Sequence, residues 1–179
     1  MSGLQLIFCV ETNSKCKSDF VYIRNTIDHF YDYDRAHVQF RPVYMDGKGN
    51  YNTRKTDRKI KELSVPFERA SKNNESYTLF CFDCDDYDAN PSDSRFLNDA
   101  YSFCKKKDNY RFVWFCKDVE DVYLGRRIEN HQKKKEAEEY ARKGLIKTLN
   151  INHLNFTSYL PHRSNLCVVL DEFLNRKGK

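Results

Sequence analysis

Apolar residues along the chain fall into two kinds of run. Leu4 to Val10 (LQLIFCV) is almost continuously apolar and of strand length, as expected of a central strand covered on both faces. Phe20, Ile23, Ile27 and Phe30 then recur at the spacing of one face of a helix. His37 to Met45, with Val38, Phe40, Val43 and Tyr44, reads as a second strand, and Pro42 within it points to a sheet edge or a bulge. DGKGNYN, from Asp46, is a loop by its glycines and asparagines. Ile60, Leu63, Phe67 and Ala70 resume a helical spacing. Pro66 interrupts it, which predicts a kink or a new helix capped by Ser64.

The same alternation continues. Tyr77 to Phe82 (YTLFCF) is a third strand, and the acidic run DCDDYD follows it. Pro91, Ser92 and Asp93 mark a helix start, with Phe96, Leu97, Ala100, Tyr101 and Cys104 as the buried face. Arg111 to Cys116 (RFVWFC) is a fourth strand. Gln132 to Lys143 predicts an exposed helix, and Leu166 to Leu174 a short closing helix. Strands alternating with helices imply βαβ units. The expectation is one α/β domain over 1–179: a mainly parallel, Rossmann-like sheet of about four strands, helices on both faces, and a helical extension from about residue 126.

Composition narrows the class. A chain of 179 residues with 32% charged residues and many large apolar ones is globular and sized for one core. The net charge of +5 is compatible with a nucleic-acid partner and equally with an ordinary surface. No run approaches the roughly 20 apolar residues that span a bilayer. The opening MSGLQLIFCVE lacks a basic segment and reads as a strand, so a cytoplasmic location is expected, with the seven cysteines as reduced thiols. Cys9, Cys81 and Cys116 lie in apolar runs and should be buried.

Candidate chemistry gathers at strand ends. Glu11 directly follows the first strand and Asp83 the third, and ligands of open α/β sheets collect outside the carboxyl ends of strands. Asp83 and Asp85 are two apart, so in extended chain their side chains point the same way. Three carboxylates there would repel one another unless a hard cation, Mg²⁺ or Mn²⁺, neutralised them. An Asp-x-Asp in an acidic loop is also common in plain turns and helix caps. Asp86 is a spare ligand or, with Asp88, a solvated turn residue. Glu120 and Asp121 add to the site or merely favour a helix N-terminus.

Other residues carry less. Cys81 and Cys84 form a C-x-x-C pair without the further ligands that zinc needs. Basic residues gather at Arg54, Lys55, Arg58, Lys59 and Lys61, and again at Lys105 to Lys107, Arg126 and Arg127, and Lys133 to Lys135; they would grip phosphates if they share a face with the acidic site, and otherwise are solvated helix faces. Tyr51, Tyr87 and Tyr110 could stack bases.

The segments IFCVETNSKCKSDF (Ile7 to Phe20) and FCFDCDDYD (Phe80 to Asp88) resemble the Toprim fold, the metal-binding domain of topoisomerases, bacterial primases and OLD-type nucleases. The similarity is greatest to the RloB-like branch of phage-defence (abortive-infection) proteins, with SNLCVVLDEFL (Ser164 to Leu174) resembling its closing helix more loosely. This resemblance implies a Mg²⁺- or Mn²⁺-dependent nuclease acting on DNA or RNA. Glu11, Asp83 and Asp85 would be catalytic, with Asp86 as an additional metal residue. It also implies a role in antiviral defence or a mobile element, an ATPase partner and a homo-oligomer. Two positions depart from the family pattern: Thr12 stands where glycine is usual, and Cys16 where a second acid is usual. These departures keep open a rival reading, a non-catalytic nucleic-acid- or protein-binding module with a degenerate site.

Overall fold

A computed structural model describes residues 2–178. The elements run β1 (Leu4–Val10), α1 (Ser18–Phe30), β2 (Tyr31–Asp32), β3 (Val38–Tyr44), α2 (Arg54–Ala70), β4 (Glu75–Asp83), α3 (Pro91–Cys104) and β5 (Tyr110–Cys116). Then follow α4 (Val119–Leu124), α5 (Lys133–Lys143), β6 (Arg163–Ser164), α6 (Leu166–Leu170) and β7 (Asn175–Arg176). The five-stranded sheet has the order β3-β1-β4-β5-β6. Its first four strands are mutually parallel, and only β6 runs antiparallel. β2 and β7 form a separate antiparallel pair.

Strand alternation splits the core in two. Leu6, Phe8 and Val10 of β1 face one side, with Tyr22, Ile23 and Ile27 of α1, Val122 of α4, and Tyr140 of α5. Ile7 and Cys9 face the other, with Ile60 of α2 and Leu97, Ala100 and Cys104 of α3. Helices therefore cover both faces, as the continuous apolar runs require. Pro42 lies on the edge strand β3, where a missing N–H costs least.

Several expectations need correction. α2 runs unbroken through Pro66, and its cap is Thr53, whose side chain accepts the Thr56 N–H; Ser64 starts no new helix. Proline removes one ladder bond, and the rest of the helix holds. Tyr101 is 46% exposed rather than buried. α5 is not exposed all round, because Ala137 and Tyr140 are buried against α1. The segment after 126 is not simply helical. It contributes the fifth strand, β6, as well as β7, and its closing helix stops at Leu170.

The thiols behave as expected, with Cys9, Cys81 and Cys116 buried and all seven cysteines free. Among the described residues no helix is long and apolar enough to cross a membrane.

Candidate functional site

After β1 the chain crosses to β3 on one flank, then returns to β4 on the other. The junction of β1 and β4 is thus the point where the winding reverses, the place such sheets bind ligands. Glu11 leaves β1 there and Asp83 ends β4. The two are joined directly: the Asp83 N–H donates to Glu11 Oε1 at 2.9 Å. Asp83 Oδ1 in turn accepts the N–H of Val119 at 3.1 Å, which ties it to the start of α4. The loop after β3 folds over the same spot, with the Gly47 N–H donating to the Glu11 carbonyl at 2.8 Å. Gly47 has φ +111°, a conformation that favours glycine.

Asp85 reaches this place by a different route from the one expected. The strand ends at Asp83, and Asp85 adopts a left-handed φ of +49°, so extended-chain alternation does not apply to the pair. Its N–H donates to the Lys117 carbonyl at 2.7 Å, which fixes the turn. Both aspartates nevertheless line one cleft of about 460 Å³, together with Glu11, Asp19, Asp46 and Lys133. Thr12 and Cys16 line it too.

Crowding and burial raise the proton affinity of the cluster. Desolvation, with repulsion from Asp19 and Asp85, pushes the Glu11 carboxyl up to about 8 against the opposing effect of its hydrogen bond from Asp83. Burial and then Glu11 raise Asp83 well above the usual carboxylate range. Asp19, buried in the first turn of α1, is raised mainly by burial although it accepts the Thr12 N–H at 3.1 Å.

Two lysines offset this charge. Lys48 Nζ lies 2.5 Å from Asp85 Oδ2 and 3.0 Å from Asp93 Oδ1. Lys133, at the start of α5, lies 2.9 Å from Glu120 Oε2. Burial alone would lower the Lys133 pKa, but Asp83 and Glu120 outweigh it and raise it. Glu120 is fully buried, and its Oε2 is paired with the Lys133 ammonium. Neither Glu120 nor Asp121 lines the cleft, and both lie in the first turn of α4.

Asp19, Asp46 and Lys48 are not singled out by the sequence, whereas Lys133, one of the basic residues expected to grip phosphates, does line the cleft. Asp19 looks like an ordinary first-turn acid, and the lysines belong to a loop and to a charged helix. For Asp46 and Lys48 the one sequence signal is position, since both closely follow the end of β3 at this edge of the sheet.

The remaining candidates fall elsewhere. Asp86 pairs with Lys117 at 3.1 Å and Arg127 at 3.3 Å and does not line the cleft. Cys81 and Cys84 point into opposite core layers, which removes any C-x-x-C chemistry. Tyr51 packs edge-on against Phe82, Phe96 and Phe103, while Tyr110 packs tilted against Phe80 and Tyr87 tilted against Tyr159. Arg54, Lys55 and Arg58 occupy the first turns of α2, and Arg126 and Arg127 follow α4. Both segments start from the carboxyl edge of the sheet.

By donor type the cleft suits a hard divalent cation, because its acids offer only carboxylate oxygen. Their present directions suit it less. Among the described residues no group of three or more His, Cys, Asp or Glu side chains is arranged to hold a metal ion. Glu11 and Asp83 are adjacent, while Asp85 is turned to Lys48. No family model, curated protein or solved structure matches the chain.

Proposed function

We propose that the cleft between β1 and β4 is a Toprim-like site for divalent-metal-dependent hydrolysis of nucleic-acid phosphodiesters. The observation that carries this reading is the meeting of Glu11 and Asp83 at the sheet's switch point, in a cleft that Asp85 also lines. Glu11 and Asp83, with Asp85 once freed, would hold Mg²⁺ or Mn²⁺, which when bound supplies an activated water and neutralises developing charge. Glu11, whose carboxyl is pushed up to about 8, can hold a proton beside the attacked phosphate and release it. Lys133 faces the same space and offers a fixed positive charge to a phosphate oxygen. By its resemblance the chain would act in phage defence or a mobile element, with an ATPase partner and as a homo-oligomer.

A second reading is a nucleic-acid- or protein-binding module that no longer cleaves. The pairing of Asp85 with Lys48 and the lack of a converged ligand set favour it. One experiment separates the two. Mn²⁺ should raise the melting temperature of the wild type by mass action, and Asp83→Asn should abolish that shift while the fold survives. The wild type with Mn²⁺ should cleave single- or double-stranded DNA or RNA, and Asp83→Asn should not. Equal Mn²⁺ binding by both proteins would remove the assignment, whereas metal-dependent stabilisation without cleavage would select the module.

A further inference from the structure

Beside the cleft, outside its lining, a second lysine is paired with one of the lining acids, Asp85. Lys48 sits on the single 3-10 turn Lys48–Asn50 between β3 and α2. Its ammonium is held at two carboxylates from separate places in the chain: Asp85 Oδ2 at 2.5 Å, in the turn after β4, and Asp93 Oδ1 at 3.0 Å, in the first turn of α3. The ammonium also lies 5.0 Å from the centre of the Phe96 ring. The supporting loop is tethered. Asn50 Nδ2 donates to the carbonyls of Met45 at 3.1 Å and Asp46 at 2.9 Å, and the Gly47 N–H donates to Glu11. Lys48 is therefore held from both its ends.

We propose that Lys48 is a built-in counter-ion that keeps Asp85 turned away from Glu11 and Asp83, so that a divalent cation completes its ligand set only when Lys48 leaves Asp85. The proposal rests on the reading of the cleft as a cation site. Lys48 occupies Asp85 Oδ2, and although Oδ1 keeps its lone pairs free, the fixed ammonium repels a second cation on the same carboxylate. Apparent metal affinity is then reduced by the fraction of molecules in which Lys48 is still engaged. Asp93 makes displacement easier to reverse, since it retains the ammonium close by when Asp85 lets go.

The test titrates Mn²⁺ calorimetrically into wild type, Lys48→Met, Lys48→Arg and Asp93→Asn, with the Mn²⁺-dependent change in melting temperature measured on the same proteins. Lys48→Met keeps an apolar stem over Phe96 and removes the charge. It should bind Mn²⁺ about tenfold tighter or more, with a larger thermal shift. Lys48→Arg should behave as the wild type does, and Asp93→Asn should bind Mn²⁺ more weakly than the wild type, since the displaced ammonium loses its second partner. A wild type that binds Mn²⁺ while Lys48→Met binds it equally or more weakly overturns the counter-ion role and leaves the cation site standing. Absence of Mn²⁺ binding in all four proteins overturns the cation site and the counter-ion role together. If Lys48→Met does not fold, Asp93→Asn decides: unchanged affinity there overturns the proposal.

Discussion

At the scale of single residues, Glu11 makes a claim about stability. Its carboxyl is enclosed beside Asp83, with Asp19 and Asp85 adding repulsion and Lys48 opposing them; Lys133 faces the same cleft. Its pKa rises from the ordinary 4.5 to about 8 on folding. For a group raised in this way the folded state binds the proton more tightly than the unfolded one. Its contribution to stability is complete below about 4.5 and is lost as pH climbs through about 8. Asp83, Asp19 and Glu120 are shifted in the same direction and add to the trend. Metal-free protein should therefore become more stable from pH 8 down to pH 5, against the usual weakening on acidification. Glu11→Gln should lower that dependence by up to one proton's worth, about 1.4 kcal/mol per pH unit. It should also stabilise the metal-free protein at pH 8. Urea denaturation in chelator across this range measures both, and a pH dependence equal to that of the wild type would refute the assignment.

At the scale of elements, the short strand β6 is completed by a side chain. Asn165 follows Ser164, and its Oδ1 accepts the Trp114 N–H at 2.8 Å while its Nδ2 donates to the Phe112 carbonyl at 2.9 Å. The side-chain amide thus continues the ladder along the open edge of β5 that two strand residues begin. Asn165→Ala would leave both backbone groups without that partner and should cost about 1–3 kcal/mol by urea denaturation. Asn165→Asp keeps the acceptor and loses the donor, so it should fall between. A cost under about 0.5 kcal/mol for the alanine variant would show that the edge is held by other contacts. The same element marks a boundary of what the chain's pattern reveals. β1, β4 and β5 announce themselves as apolar runs because both faces of each are buried. β6 has two residues and no periodicity, and its place depends on pairing with β5 some fifty positions earlier. The closing helix was over-extended to Leu174 for a related reason. Leu174 is buried and continues the apolar spacing, but the chain there turns toward β7 instead of winding on.

At the scale of the whole molecule, the acids at two strand ends were legible because the sheet's winding fixes where such ends meet. The role of Lys48 was not, since its partners Asp85 and Asp93 lie far from it in sequence, and Lys133 shows there only as one of a basic run. The charge distribution follows the same logic and gives the last prediction. The acidic cleft and the first turns of α2 share the carboxyl edge of the sheet, so a nucleic acid entering the cleft passes the start of α2. Arg54 and Lys55 are exposed there and form no ion pair among the described residues. Arg58 is 3.5 Å from Glu62, Arg126 is 3.0 Å from Glu136, and Arg127 is 3.3 Å from Asp86. A cation already neutralised by an acid releases fewer counterions when it meets a phosphate. Each free charge that binds a single-strand phosphate adds roughly 0.7 to the slope of log affinity against log salt. The Arg54→Ala/Lys55→Ala double variant should therefore lose about 1.4 of that slope, read by fluorescence anisotropy of a labelled oligonucleotide at several salt concentrations. The Arg126→Ala/Arg127→Ala double variant should lose less, because it also frees Glu136 and Asp86 to repel the strand and so weakens binding without removing two free cations. Binding whose salt slope does not change in the first pair would move the nucleic-acid path away from α2, and equal slope losses in both pairs would show that the ion pairs open on contact.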